Sequence, residues 1–181
     1  MNLFFRLVYT FLFSRFRSKV HAMEECLTPY RCWPTDLDVL RHINNGVYFS
    51  MQDLARVDYM IRMGAAGKLA AQGWYPVVVA ERLRFKKSIK PFQKFFIGTR
   101  LAYWDDKYTY IEHKFIVNGE PVAWGMIRAR FLKKSGGLVT TEELINLIGV
   151  SSPRPELPDH LKAWIEAEDR HIEAVLPVIK N

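Results

Sequence analysis

Trp33-Pro34-Thr35-Asp36-Leu37-Asp38-Val39-Leu40-Arg41-His42-Ile43-Asn44-Asn45-Gly46-Val47-Tyr48 is a dense polar run that passes directly into an apolar stripe. Asn44 or Asn45 can accept one of the unpaired backbone N–H groups at a helix start. Val47, Met51, Leu54, Val57 and Ile61 then recur at helical spacing until Gly64 offers a left-handed terminus. Tyr48, Phe49 and Ala55 widen that stripe, so the helix needs a wrapping on most sides, and a sheet is the natural one. Two carboxylates, an imidazole and two amides therefore stand beside helix N-terminal donors and the positive end of a helix dipole. Such a junction can bind a developing oxyanion.

The sheet is legible downstream. Over Val77–Phe85, Val77, Val79, Leu83 and Phe85 alternate with Arg82, Arg84 and Lys86, the pattern of a half-buried strand with a basic outer face. Phe95, Ile97, Leu101 and Tyr103 alternate up to an Asp105-Asp106-Lys107 turn. A third strand, Tyr108–Val117, ends at Asn118-Gly119, the dipeptide favoured in type I′ hairpins, and its partner runs from Val122 to Leu132 before Ser135-Gly136-Gly137. Strands in this order pair antiparallel. Thr140 with Glu143 forms a capping box opening a short helix closed by Gly149, and Asp159 caps a last short helix carrying Leu161, Trp164, Ile165 and Ile172. The expected class is α+β, divided into an arm over residues 1–22 and a domain over residues 23–181.

Bulk properties agree with one such domain. A chain of 181 residues buries roughly 70% of its unfolded surface around a single core. Cys26 and Cys32 are too few and too far apart for a zinc site or a redox pair, which points to a reducing, cytoplasmic setting. Of the net charge of +7, Arg6, Arg15, Arg17 and Lys19 contribute four units before the first acid, Glu24. Arg6 interrupts the apolar run at the start, which is too short to span a bilayer of about 20 residues. The arm reads either as a helix lying on a membrane surface, phenylalanines down and arginines toward anionic headgroups, or as an apolar segment packing on its own domain or a partner.

The chain has no G-x-S-x-G elbow, no H-E-x-x-H, no phosphate-binding glycine loop and no G-x-G-x-x-G, so serine hydrolases, zincins and nucleotide enzymes are disfavoured. What it does carry is Asp-x-Asp-x-x-x-His-x-Asn-Asn-x-x-Tyr followed by Asp53-x-x-Arg56, and this is similar to the signature of hot-dog-fold acyl thioesterases. Trp104-Asp105-Asp106-Lys107, Pro155-Glu156-Leu157-Pro158 and Trp164 extend the resemblance to the branch named for thioesterase superfamily member six. The resemblance implies a long helix wrapped by a curved antiparallel sheet and a homodimer or tetramer. It also implies hydrolysis of acyl-coenzyme A or acyl-carrier-protein thioesters; no cofactor and no metal are expected. It leaves two catalytic registers open. Asp36 takes the acting position of the hydroxybenzoyl-CoA thioesterase type, whereas Asp38 and His42 match the plant acyl-carrier-protein thioesterases. That plant type has an asparagine where this chain has Leu40.

Chemically, either carboxylate can attack a thioester carbonyl or deprotonate water, because a thiolate leaves without a strong acid. Asp38, supported by Asp36 and His42, is the expected catalytic group, with Asn44, Asn45, Gly46 and Tyr48 around substrate and oxyanion. Arg82, Arg84, Lys86 and Lys87 are expected to meet coenzyme A phosphates. Nucleic acid is not an expected partner, since no recognised module accompanies the charge. Each residue also has a purely structural use. The aspartates can cap turns, the asparagines can cap the helix, Tyr48 can be core, Asp53 and Arg56 can be a surface ion pair, and Glu81 is a weaker inward carboxylate. Two other readings stay open: a lipid or acyl-thioester binding protein that hydrolyses little, and a hot-dog dehydratase. The second rests on His42-x-x-x-Gly46, but Phe49 stands where that pattern has proline.

Overall fold

Six strands and five α-helices form this computed structural model, which describes residues 2–179; Met1 of the arm and Lys180 and Asn181 of the domain lie outside the described residues. The chain runs α1 (Asn2–Phe13), β1 (Cys26–Arg31), α2 (Asn45–Arg62), α3 (Ala65–Ala71), β2 (Trp74–Phe85), β3 (Lys94–Trp104), β4 (Thr109–Val117), β5 (Glu120–Lys133), β6 (Leu138–Val139), α4 (Thr141–Ile148) and α5 (Asp159–Ile179). The sheet is antiparallel in the order β1-β3-β4-β5-β2, with β6 added to β5. It curls round α2, giving the hot-dog architecture.

Local chemistry sets most element ends. Asn118 and Gly119 both take positive φ, 51° and 82°, as a type I′ hairpin between β4 and β5 requires. Asn44 is the cap of α2, Thr140 and Glu143 form the capping box of α4, and Gly64 and Gly149 adopt left-handed φ just past their helices. Alternation then sorts the sheet's two faces. Phe95, Ile97, Phe115 and Ala123 pack against Tyr48, Met51 and Ala55 of α2. Tyr103, Tyr110 and Met126, on the opposite face, are covered by Leu161 and Trp164 of α5. Gly125 makes room for the side chain of Gln52 of α2, for a Cβ there would stand 2.6 Å from Nε2 of that buried residue.

Four readings need correction. The stripe on α2 is not purely apolar: Gln52, Arg56, Asp58 and Arg62 are buried, while Val47, Val57 and Ile61 are only partly covered. Strand β2 begins at Trp74, and a register shift between Val78 and Ala80 breaks its alternation, leaving Val79, Glu81 and Phe85 exposed. It is an edge strand, so neither face has full cover. The last helix is long, 21 residues, not short. Finally, Arg6 and Arg17 of the N-terminal segment point inward and pair with Asp36 and Asp58.

Candidate active site

The loop before α2 is held by its own carboxylates. Asp36 ends a 3-10 turn at Pro34–Asp36, and its Oδ2 accepts from the Trp33 N–H at 2.8 Å and from Arg6 Nη2 at 2.7 Å. It is 2% exposed, so the guanidinium supplies the counter-charge that a buried carboxylate requires. Asp38 Oδ1 accepts from the N–H groups of Leu40 at 2.9 Å and His42 at 3.1 Å. Its own N–H donates to the His42 carbonyl at 2.8 Å, closing a tight hairpin in which Arg41 takes φ 61°. Val39 and Leu40 stand at its tip, 98% and 72% exposed. No donor among the described residues meets Asp38 Oδ2, which leaves one oxygen of a half-buried carboxylate able to accept a proton.

At the helix start Asn44 Oδ1 accepts from the Gly46 N–H at 2.9 Å, and the Asn44 carbonyl accepts from Val47 at 2.9 Å and Tyr48 at 3.3 Å. The cap thus uses the Gly46 donor, and the Asn45 N–H remains as the donor without an acceptor among the described residues. His42, Asn45 and Tyr48 line a cleft of about 200 Å³ whose other wall is Phe85, Lys86, Lys87 and Ser88. The loop, the helix start and the basic strand end, separated by some forty residues, meet here. Asp36 and Asp38 lie outside its lining. Tyr48 packs edge-on against Phe85 and Phe115, each at 4.9 Å, and burial pushes its phenol up to about 12.

The four cations have different fates. Lys87 pairs with Glu120 at 2.9 Å, and that contact holds the exposed Glu120 carboxyl below its usual range. Arg82 lies over the Trp164 ring at 4.7 Å, and burial lowers its pKa. Arg84 and Lys86 open, with Trp124 and His160, onto a groove of about 740 Å³ along the outer face of the sheet.

Under the second half of α2 lies an apolar chamber of about 220 Å³ lined by Met60, Leu69, Ile111, Ile127, Phe131 and Leu144, among others. Arg56 and Asp53 reach it together, and this corrects the reading of that pair as a surface one. Asp53 is exposed, but Arg56 is buried, and its Nη1 lies 3.2 Å from His113 Nε2. His113 is fully buried; desolvation, then the Arg56 charge, pull its pKa well below the usual value and keep it neutral. A guanidinium only donates, so His113 Nε2 accepts from it and Nδ1 carries the hydrogen toward Thr99 Oγ1 at 3.1 Å. Burial lowers Arg56 itself to about 10. No sequence expectation named His113, although it sits at an inward position between Ile111 and Phe115. Among the described residues no group of three or more His, Cys, Asp or Glu side chains is placed to hold a metal.

The description of the thioesterase-like superfamily matches residues 32–165. The chain belongs to this superfamily. That stretch contains the loop, the cleft, the chamber and the Arg56–His113 pair. Protein THEM6 of Drosophila melanogaster is 28% identical over 172 residues, covering 92% of this chain and 86% of that one. A probable thioesterase of Saccharomyces cerevisiae is 28% identical over 116 residues, 64% of this chain, and the chain spans 48% of that protein's length. The solved structure of the YbaW probable thioesterase from Escherichia coli superposes with a TM-score of 0.63 at 21% identity, over 67% of this chain and 95% of that one, a likeness of fold. Superfamily membership supports thioester hydrolysis as the class of activity.

Proposed function

We propose that the protein hydrolyses fatty acyl thioesters of coenzyme A or acyl-carrier protein, giving the free acid and a thiol. The observation that carries this reading is the pairing under one helix of a polar cleft at its start and an apolar chamber toward its end. A thioester lying along α2 would place its carbonyl near the dipole's positive end and its chain against Met60 and Leu69. Asp38 is the proposed base. Its Oδ2, which meets no donor among the described residues, takes a proton from water, the hydroxide adds to the carbonyl, the Asn45 N–H meets the oxyanion, and collapse expels the thiolate, which recovers the proton from Asp38 by way of His42 or solvent. Asp36 supports this arrangement from behind, its carbonyl accepting from the Asn44 N–H at 2.9 Å. Lys86 and Arg84 would meet the carrier's phosphates. The open edge of β2, with Tyr75, Val78 and Val79 exposed, supports self-pairing into a dimer.

A second reading, acyl-thioester or lipid binding with little turnover, is favoured by two details: Asp38 Oδ1 is occupied by its own loop, and Gly46 donates to the cap and not to the cleft. Thiol release across a panel of acyl-CoA chain lengths separates the two. Turnover that saturates with one range of chain lengths supports hydrolysis; saturable binding without thiol release supports the second reading.

A further inference from the structure

The N-terminal helix is amphipathic the wrong way round for a segment packed on a globular body. Thr10 and Ser14, one and two turns after Arg6, are buried, and Arg17 continues the same stripe. This polar stripe faces the domain. Arg6 bonds Asp36 and the Arg31 carbonyl, and Arg17 bonds Asp58 at 3.2 Å. Arg62 of α2 reaches back to the Ser18 carbonyl at 2.8 Å. Leu3 and Leu7 are partly covered, while Phe4, Phe5, Phe11, Leu12, Phe13 and Phe16 point outward and are 46–77% exposed. At 100° per residue they cover an arc of about 200°.

That arc decides what can cover it. The domain is already spoken for by the polar stripe, so the phenylalanines have no route back to the core. A helical partner buries a narrow seam, and a facing copy of this chain would leave most of so broad a ridge wet. A fluid apolar medium covers all of it. Two further features fit the interface of a bilayer. Beside the Arg6 anchor, Trp33 and Phe92 form an exposed edge-to-face pair with ring centroids 6.3 Å apart, and Arg31 lies over the indole at 5.8 Å. Aromatic rings flanked by bases are characteristic of residues held at headgroup level. Arg15 and Lys19 flank the ridge, and the chain carries +7 overall. Among the described residues no helix is long and apolar enough to cross a membrane.

We propose that α1 and the turn after it, rigidly latched to the domain by Arg6–Asp36 and Arg17–Asp58, lie in the surface of an anionic lipid bilayer with their phenylalanines embedded and Trp33 and Phe92 at the rim. The latch makes this a fixed footing and not a flexible tether, so the domain takes one orientation on the membrane. It also reverses the sequence expectation for two of the four bases: Arg6 and Arg17 hold the protein to itself, and Arg15 and Lys19 are left for the headgroups. Such docking is independent of turnover in the cleft.

Flotation of the full chain with phosphatidylcholine vesicles, with and without phosphatidylserine, tests it. The protein is expected to float with both and more strongly with the anionic ones. Phe5→Glu/Leu12→Glu is expected to lower the partition coefficient by about a hundredfold, the loss of two large apolar side chains from the bilayer, with the circular dichroism unchanged. Arg15→Glu/Lys19→Glu is expected to remove only the preference for anionic vesicles. A label-based measurement serves if the double charge variant misfolds. Cys26 and Cys32 are buried, so Leu12→Cys takes a polarity-sensitive dye selectively, and its emission should shift to the blue on adding vesicles. Failure of the unmodified chain to float, or an unshifted dye, overturns the proposal. So does an oligomer in lipid-free buffer that Phe5→Glu/Leu12→Glu dissociates while vesicle binding is absent, which would make the ridge an interface between copies.

Discussion

At the start of α2, Asp38 and His42 stand in a loop whose hydrogen bonds run to its own backbone, with Val39 and Leu40 in solvent. About three to five turns further on, Arg56, Asp58 and Arg62 are sealed between the helix, β1, the sheet and the N-terminal segment. The first region keeps polar groups near water, where exchanging one costs little. The second keeps them in the interior, where each depends on a partner: Asp58 Oδ2 accepts from Thr28 at 2.6 Å, Arg17 at 3.2 Å and Arg62 at 3.5 Å. One helix thus carries its scaffolding charges in its buried half and its candidate chemistry at its exposed end. Substitutions should separate accordingly, stability from one region and activity from the other.

The largest effect is expected at Asp58. Asp58→Ala leaves two guanidinium groups without their shared counter-charge in the interior and should cost about 3–5 kcal/mol, read from urea unfolding. A loss under about 1 kcal/mol would break the contrast between the two regions. Next comes Arg6→Gln, which strips the buried Asp36 of its charged donor and leaves, among the described residues, the Trp33 N–H. About 1.5–3 kcal/mol should be lost in the same measurement.

His113 sharpens the comparison through pH. Its folded pKa lies well below the usual 6.5, so below that pH the unfolded chain binds a proton that the folded chain refuses. The stability contributed by the neutral ring is complete above about pH 6.5 and falls as pH drops below it, by up to about 1.4 kcal/mol per pH unit. His113→Gln should flatten that part of the stability profile. An unchanged slope would mean that the ring is protonated in the fold.

Much of this architecture can be read from short stretches of sequence, because hairpin and cap chemistry is local. Asn118-Gly119, Thr140 with Glu143, and Asn44 act through bonds to residues two to four positions away. The buried charges escape such a reading. A search for apolar periodicity passes over Asp58 and Arg62, and their burial makes sense only once Thr28, Arg17 and Ser18 are known to surround them. The orientation of α1 is hidden for the same reason: Asp36 lies 30 residues from Arg6, and Asp58 lies 41 from Arg17. The bulge between Val78 and Ala80 turned Glu81 outward without leaving a glycine or proline to mark it. At the site, the meeting of His42 and Asn45 with Lys86 and Lys87 depends on β2 ending beside the start of α2, a tertiary fact.

Asp38→Asn is the smallest change expected in stability and the most informative in activity. Asparagine keeps an Oδ1 that accepts from Leu40 and His42, so unfolding should shift by no more than about 0.5 kcal/mol. Loss of the base should lower thiol release from acyl-CoA by at least about 10². Measured beside Asp36→Asn, with both variants shown to be folded and of native oligomeric state, the experiment assigns the acting carboxylate. The proposed role of Asp38 predicts that Asp38→Asn loses turnover at native stability. Full activity in Asp38→Asn, with loss confined to Asp36→Asn, would contradict it.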